Sequence, residues 1–303
     1  MRQEHHATAT AHRKNGHMIE NKVALVTGVS SGIGQETAQL LAERGARVFG
    51  TVRDRPPPKA IAGVELVRMD VTNESSVAKG VQSVLEQAGQ IHVLVNNAGY
   101  VLAGGLEETS IQEAQQQFDT NFFGTLRVTQ TVLPWMRRQG YGRIVNISSM
   151  NGLFPAPYRG IYAASKHALE GYTETLDHEV RQFGIRAVLI EPMFTKTDIS
   201  RNEKSTLITL DAYADQRERV EEVIQQSIAD GDEPRVVAEA VHRALTTASP
   251  RLHYPVGEGI MLSRLRRFVP PSLFDRAFRR RFQLDGNSRH ENKKNGNKNC
   301  YED

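Results

Sequence analysis

Six short runs of apolar, largely β-branched residues recur along the chain, at 23–27, 47–52, 64–69, 92–95, 143–149 and 185–190. Between them lie stretches with helical spacing, about 33–44, 75–88, 111–138 and a segment ending near 183. A run that is apolar throughout suits a strand buried on both faces of a parallel sheet. Parallel neighbours need a crossover between them, which the helical stretches supply. Connections are short and no internal linker interrupts the alternation, so the pattern predicts an α/β fold. Its core is a single doubly wound parallel sheet of about seven strands, flanked by helices.

The turns after these strands carry the unusual residues, and the carboxyl ends of parallel strands are where such folds build their sites. Residues 27–34 read Thr-Gly-Val-Ser-Ser-Gly-Ile-Gly before a helix that Gly45 closes. Glycines there let backbone approach a pyrophosphate at a helix N-terminus, though tight packing alone can also require them. Arg53 at the tip of the second strand suits a 2′-phosphate on an adenosine ribose; the rival readings are an ordinary surface arginine, or an acidic role for Asp54. Asp70 with Val71 closes the third strand, either facing a ligand or opening a turn, and Asn97, Ala98 and Gly99 close the fourth as ligand contacts or a plain turn. Asn121 falls inside the long helical stretch, where Asn is unfavourable without a specific hydrogen-bonding job. Two hydroxyls, Ser148 and Ser149, end the fifth strand. Tyr162 and Lys166 then sit four residues apart on one helix face, so a phenol and an ammonium reach one small volume, and a cation beside a phenol draws its pKa toward neutrality. That spacing by itself is also what chance or a solvated helix face supplies.

Charge is unevenly placed. From Gly259 onward the balance is +6, and the rest of the chain carries −3, so the body has no nucleic-acid signature. Residues 258–285 interleave Leu and Phe with Arg, a basic amphipathic helical extension that either caps the body or lies on anionic lipid. A leader at 1–21 and a tail at 286–303 are expected to be disordered on composition. The single cysteine, Cys300, excludes an intrachain disulfide and a cysteine-based zinc site. The histidines of the leader, His5, His6, His12 and His17, lack an ordered framework, so no metal site is expected. With no long apolar run and no secretory leader, a cytoplasmic protein is expected.

Taken together, the motifs resemble those of the short-chain dehydrogenase/reductase family over about 22–256, most of all NADP-preferring members related to 17β-hydroxysteroid and retinol dehydrogenases. The family pattern T-G-x-x-x-G-x-G falls on 27–34 and N-N-A-G on 96–99, and the tetrad of Asn, Ser, Tyr and Lys falls on Asn121, Ser149, Tyr162 and Lys166. The resemblance implies a Rossmann-type catalytic domain over 22–257, with a substrate lid at 193–233. It implies NADP(H), with NAD(H) second, held by Gly28, Ser30, Ser31, Gly32, Ile33, Gly34, Arg53, Asp70, Val71, Asn97, Ala98, Gly99, Tyr162, Lys166, Pro192, Thr195 and Thr197. Met193 departs from the usual Pro-Gly and should stiffen that turn. The family template implies hydride transfer between the cofactor and a carbonyl or alcohol. Tyr162 is then the proton donor, Ser149 a partner of the alkoxide, Lys166 the group that tunes the phenol and holds the cofactor ribose, and Asn121 the support of a water. Phe154, Pro155, Pro157, Tyr158, Phe194 and Leu207 suggest an apolar pocket for a lipophilic substrate, or packing against the body. The family also implies a homodimer or homotetramer. Rival functions are a catalytically idle NADP(H)-binding regulator and a peripheral membrane-binding protein.

Overall fold

The computed structural model describes residues 19–53, 60–196, 203–261 and 269–285. Most of the leader, the 286–303 tail, Asp54, Thr197 and residues 262–268 lie outside them. All six expected strands are present, as β1 (Val23–Val26), β2 (Arg47–Val52), β3 (Val64–Arg68), β4 (Val93–Asn96), β6 (Gly142–Ile147) and β7 (Ile185–Glu191). A seventh, β9 (His253–Pro255), completes a parallel sheet in the order β3-β2-β1-β4-β6-β7-β9. The order reverses between β1 and β4, which opens a crevice beyond their carboxyl ends.

The continuous apolar runs are explained by burial on both faces. Ala24, Val26, Val48, Val95 and Ile190 pack on one side, against α1 (Gly32–Glu43) and α7 (Pro234–Thr246). Val23, Leu25, Phe49, Leu94 and Ile144 pack on the other, against α2 (Glu74–Ala88), α4 (Gly124–Gln139) and α5 (Gly160–Val180). Fully burying each large apolar side chain contributes roughly 2 kcal/mol, so both layers are strongly held to the sheet.

The long helix expected at 111–138 is not continuous. It divides into α3 (Ile111–Phe118), one wider π turn (Asp119–Phe123) and α4, a kind of bulge that periodicity does not encode and that recurs at functional sites. A second small sheet also escaped the sequence: β5 (Val101–Ala103) pairs in parallel with β8 (Glu203–Ser205), whose polar sequence carries no strand signal. Beyond β8 come α6 (Ala214–Ala229) and, at the end, α8 (Pro271–Arg281).

Candidate active site

At the β1–α1 turn the glycines are required by geometry. Gly28 and Gly32 have φ of +71° and +59°, in the left-handed region. A Cβ on Gly34 would stand 2.3 Å from both Asn97 Nδ2 and Gly28 O. Asn97 buttresses the turn from behind, its amide donating to Thr27 O at 3.0 Å and Gly28 O at 2.9 Å, while Thr27 Oγ1 accepts from the backbone N–H groups of Asn97 and Ala98. The N-cap Ser31 makes no side-chain capping bond, and the first turn of α1 holds no acidic residue. The N-termini of α2 and α3 are instead capped by Asn73 and Ser110, with Glu74 and Glu113 in their first turns. The α1 end thus keeps its backbone donors and positive dipole for an anion.

Several of the expected ligand contacts also hold the fold together. Asp70 Oδ1 accepts from Thr72 N at 2.9 Å and Thr72 Oγ1 at 2.7 Å, so this carboxylate fixes the turn into α2. Val71 is buried against Gly124, and Ile33, in the first turn of α1, packs on the core. Pro192 offers its carbonyl to Met150 N at 2.9 Å, and Thr195 is buried and bridged to Asp232. Arg53 stands one residue beyond β2, and Ser30 lies in the glycine turn.

Four side chains converge beyond β4 and β6. Ser148 and Ser149 diverge: Ser148 Oγ is buried and donates to Glu170, whereas Ser149 Oγ accepts from Asn151 N at 3.1 Å and stands near enough to the Tyr162 phenol to lower its pKa. Lys166, buried one turn along α5, donates to Ile147 O at 2.7 Å. Asn121 is buried in the π turn; its Oδ1 accepts from Tyr100 N at 3.1 Å, and its Nδ2 donates to Tyr100 O at 3.0 Å and Ser165 Oγ at 3.4 Å. It therefore pins the loop after β4 to the helix that carries Tyr162. A buried relay from Asn96 to Asn146 at 2.8 Å and on to Thr173 at 2.8 Å ties β4, β6 and α5 together beneath the site.

Burial pushes the Tyr162 phenol above its usual range, while the nearby Ser149 hydroxyl and the charge of Arg159 pull it back. The Lys166 ammonium stands 5.8 Å from the ring centroid and is engaged with the Ile147 carbonyl. Burial pulls Lys166 itself down to about 8, against the opposing effect of Glu170.

A strap of acidic side chains closes over this region, and nothing local in the sequence marks it. Glu113 Oε1 accepts from Leu207 N at 2.9 Å, and Glu108 accepts from Leu210 N at 2.7 Å and pairs with Arg217. Arg159, at the start of α5, binds Glu203 at 2.9 Å and Glu221 at 2.7 Å. Phe154 stacks on Phe274 of α8 with centroids 5.3 Å apart, and Phe282 is buried with Ala156, Val220 and Ile224, beside Tyr158 and Phe194. The C-terminal extension thus packs on α6 and the 150–161 loop. Leu207 does not join this apolar group, being 89% exposed with its backbone held by Glu113.

Comparison with known proteins gives concordant results. The short chain dehydrogenase family matches residues 22–207. The chain is 35% identical over 265 residues to 3-ketodihydrosphingosine reductase of Bacteroides thetaiotaomicron, covering 86% of this chain and 98% of that protein. It is 42% identical over 183 residues to human retinol dehydrogenase 8, covering 56% of this chain and 58% of that protein. A short-chain dehydrogenase structure from Streptomyces avermitilis superposes with a TM-score of 0.72 at 32% identity, over 82% of this chain and 94% of that one. One from Burkholderia phymatum, in complex with NAD, gives 0.71 at 28% identity, over the same shares of the two chains.

Proposed function

The chain belongs to the short-chain dehydrogenase family, and from that premise we propose that it is an NADP(H)-dependent oxidoreductase interconverting a lipophilic carbonyl compound and its alcohol. The observation that carries the reading is the placing of Ser149 beside the Tyr162 phenol, with the buried Lys166 on the same helix, at the carboxyl edge of the sheet where the glycine turn lies.

The turn fits a dinucleotide: Gly28 and Gly32 take left-handed backbone, and α1 presents an uncapped, acid-free N-terminus. When bound, the nicotinamide supplies or accepts the hydride. Residues of the glycine turn, Ser30 and Ser31 included, would hold the phosphates, Arg53 the 2′-phosphate that separates NADP(H) from NAD(H), and Lys166 the ribose hydroxyls. Asn97 and Asp70 act through the backbone they fix. Tyr162 gives its proton to the developing alkoxide, and the raised phenol pKa keeps that proton available at neutral pH. Ser149 shares the alkoxide charge. Asn121 acts as a positioning residue through Tyr100 and Ser165.

A lipophilic substrate is supported by the aromatic roof of Phe154, Tyr158 and Phe194 and by the two relatives, whose names concern a ketosphingoid base and retinol. Pairing of chains through the face of α3 and the π turn is supported by exposed Ile111 and Phe123 there.

Tyr162→Phe is expected to retain NADPH binding, measured by fluorescence, and to lose turnover by at least about a thousandfold with a carbonyl screen followed at the NADPH absorbance. Turnover within tenfold of the parent would overturn the assignment. Rates compared with NADPH and NADH should favour NADPH, and Arg53→Ala should erase that preference. An NADH preference in the parent chain removes the role given to Arg53.

A further inference from the structure

Behind the catalytic residues, three side chains from three elements meet in the fold without a place in the hydride-transfer chemistry. Glu170 of α5, Glu191 at the end of β7 and His253 at the start of β9 each aim one ligand atom at a common point, and these atoms lie within 4.8 Å of one another. Glu170 is 6% and Glu191 1% exposed. Burying two facing carboxylates is costly unless something positive sits between them. Ser148 Oγ satisfies Glu170 Oε1, but the buried Oε2 finds no hydrogen-bond donor and points at the cluster. His253 Nδ1 stands 2.7 Å from Glu191 Oε1 and 3.6 Å from Glu170 Oε2.

We propose that Glu170, Glu191 and His253 form a binding site for a zinc-like divalent transition-metal ion. Tetrahedral zinc with bonds of about 2.0–2.2 Å sets its ligand atoms roughly 3.3–3.6 Å apart, so the 3.6 Å pair already fits and the 2.7 Å pair would have to open by less than about 1 Å. Two carboxylates and one imidazole suit zinc or cobalt better than magnesium or calcium, which call for six or more oxygens. The surroundings are those of a metal centre: Ser148 orients one carboxylate, and Glu174 Oε1 lies 3.5 Å from His253 Nε2, placed to accept its proton and leave Nδ1 free to ligate. His253 is half-exposed, which gives an ion its route in and leaves a coordination position for water. A bound ion would tie β7 and β9 to α5 one turn beyond Lys166. The site stands on these residues alone and is independent of the proposed reaction.

The test is calorimetric titration of the EDTA-stripped full chain with zinc, together with cobalt absorption spectroscopy. Leader histidines can also take zinc, so the titrations use a chain with His5, His6, His12 and His17 replaced by Ala. One zinc per chain is expected, with the intense visible bands of four-coordinate cobalt. His253→Asn, a half-exposed position that opens no core cavity, should weaken binding by about a hundredfold, and Glu174→Gln by about tenfold. Thermal melts verify that each variant is folded, and Glu191→Gln serves as a second ligand variant. No stoichiometric binding in the leader-substituted chain would mean that a shared proton neutralises the carboxylates, and would overturn the proposal. Binding unchanged by His253→Asn and Glu191→Gln would overturn it equally.

Discussion

Lys166 is under two opposed demands. Its ammonium must be charged to hold a ribose and favour proton transfer, yet burial lowers its pKa from 10.5 to about 8. A shift of that size corresponds to a cost of about 3 kcal/mol while the folded lysine is charged. The unfolded chain binds more protons than the folded one between about pH 8 and 10.5, so the cost is fully present below pH 8 and fades as pH rises through that window. Lys166→Met removes the cost and forfeits the bond to Ile147 O, worth about 1 kcal/mol. The variant should be inactive yet melt a few degrees higher at pH 7, with the advantage shrinking at pH 10; an equal gain at both values would contradict this origin. Tyr162 and Lys166 were legible from their i, i+4 spacing. Arg159, whose charge acts on the phenol, was not, because its importance comes from Glu203 and Glu221, which lie more than forty residues away.

Helices and strands were legible wherever periodicity or continuous burial marks them, and the exceptions have physical causes. The π turn is an insertion into a helix whose flanks are periodic, and it takes its meaning from the contacts that Asn121 makes with Tyr100 and Ser165. β8 is three polar residues, held by β5 and by acidic side chains rather than by its own apolar content. Glu108 is the centre of that attachment. Burial raises its pKa, but bonds from Leu210 N, Gly105 N and Arg217 more than offset this and leave it below the usual carboxylate range. Glu108→Gln replaces a charge-assisted pair worth about 1.5–3 kcal/mol with a neutral amide facing a guanidinium. Amide exchange at Leu210 should quicken by about tenfold or more, while exchange in β1 stays unchanged. Equal protection in both proteins would show that the strap is held elsewhere.

At the scale of the molecule, the described surface carries one telling apolar face. Ile111 is 75% and Phe123 46% exposed on consecutive helical elements, and they line one shallow depression with Phe118 and Arg127. If chains pair there, Phe123→Arg should convert the assembly to a monomer in analytical ultracentrifugation without lowering its melting temperature by more than about 1 kcal/mol in equivalent stability, since an exposed side chain contributes little to the monomer fold. An unchanged assembly would place the interface on another face. The sequence by itself determined the parallel sheet, its crossover helices and the glycine turn. Each rests on short-range chemistry: continuous burial, helical spacing, or backbone that only glycine adopts. Only the tertiary structure decided that Asp70 and Asn97 brace the turns they stand in, that α8 roofs the 150–161 loop, and that Glu170, Glu191 and His253 meet at all. The physical reason is distance along the chain, since partners that lie tens of residues apart share no local pattern until the sheet brings them together.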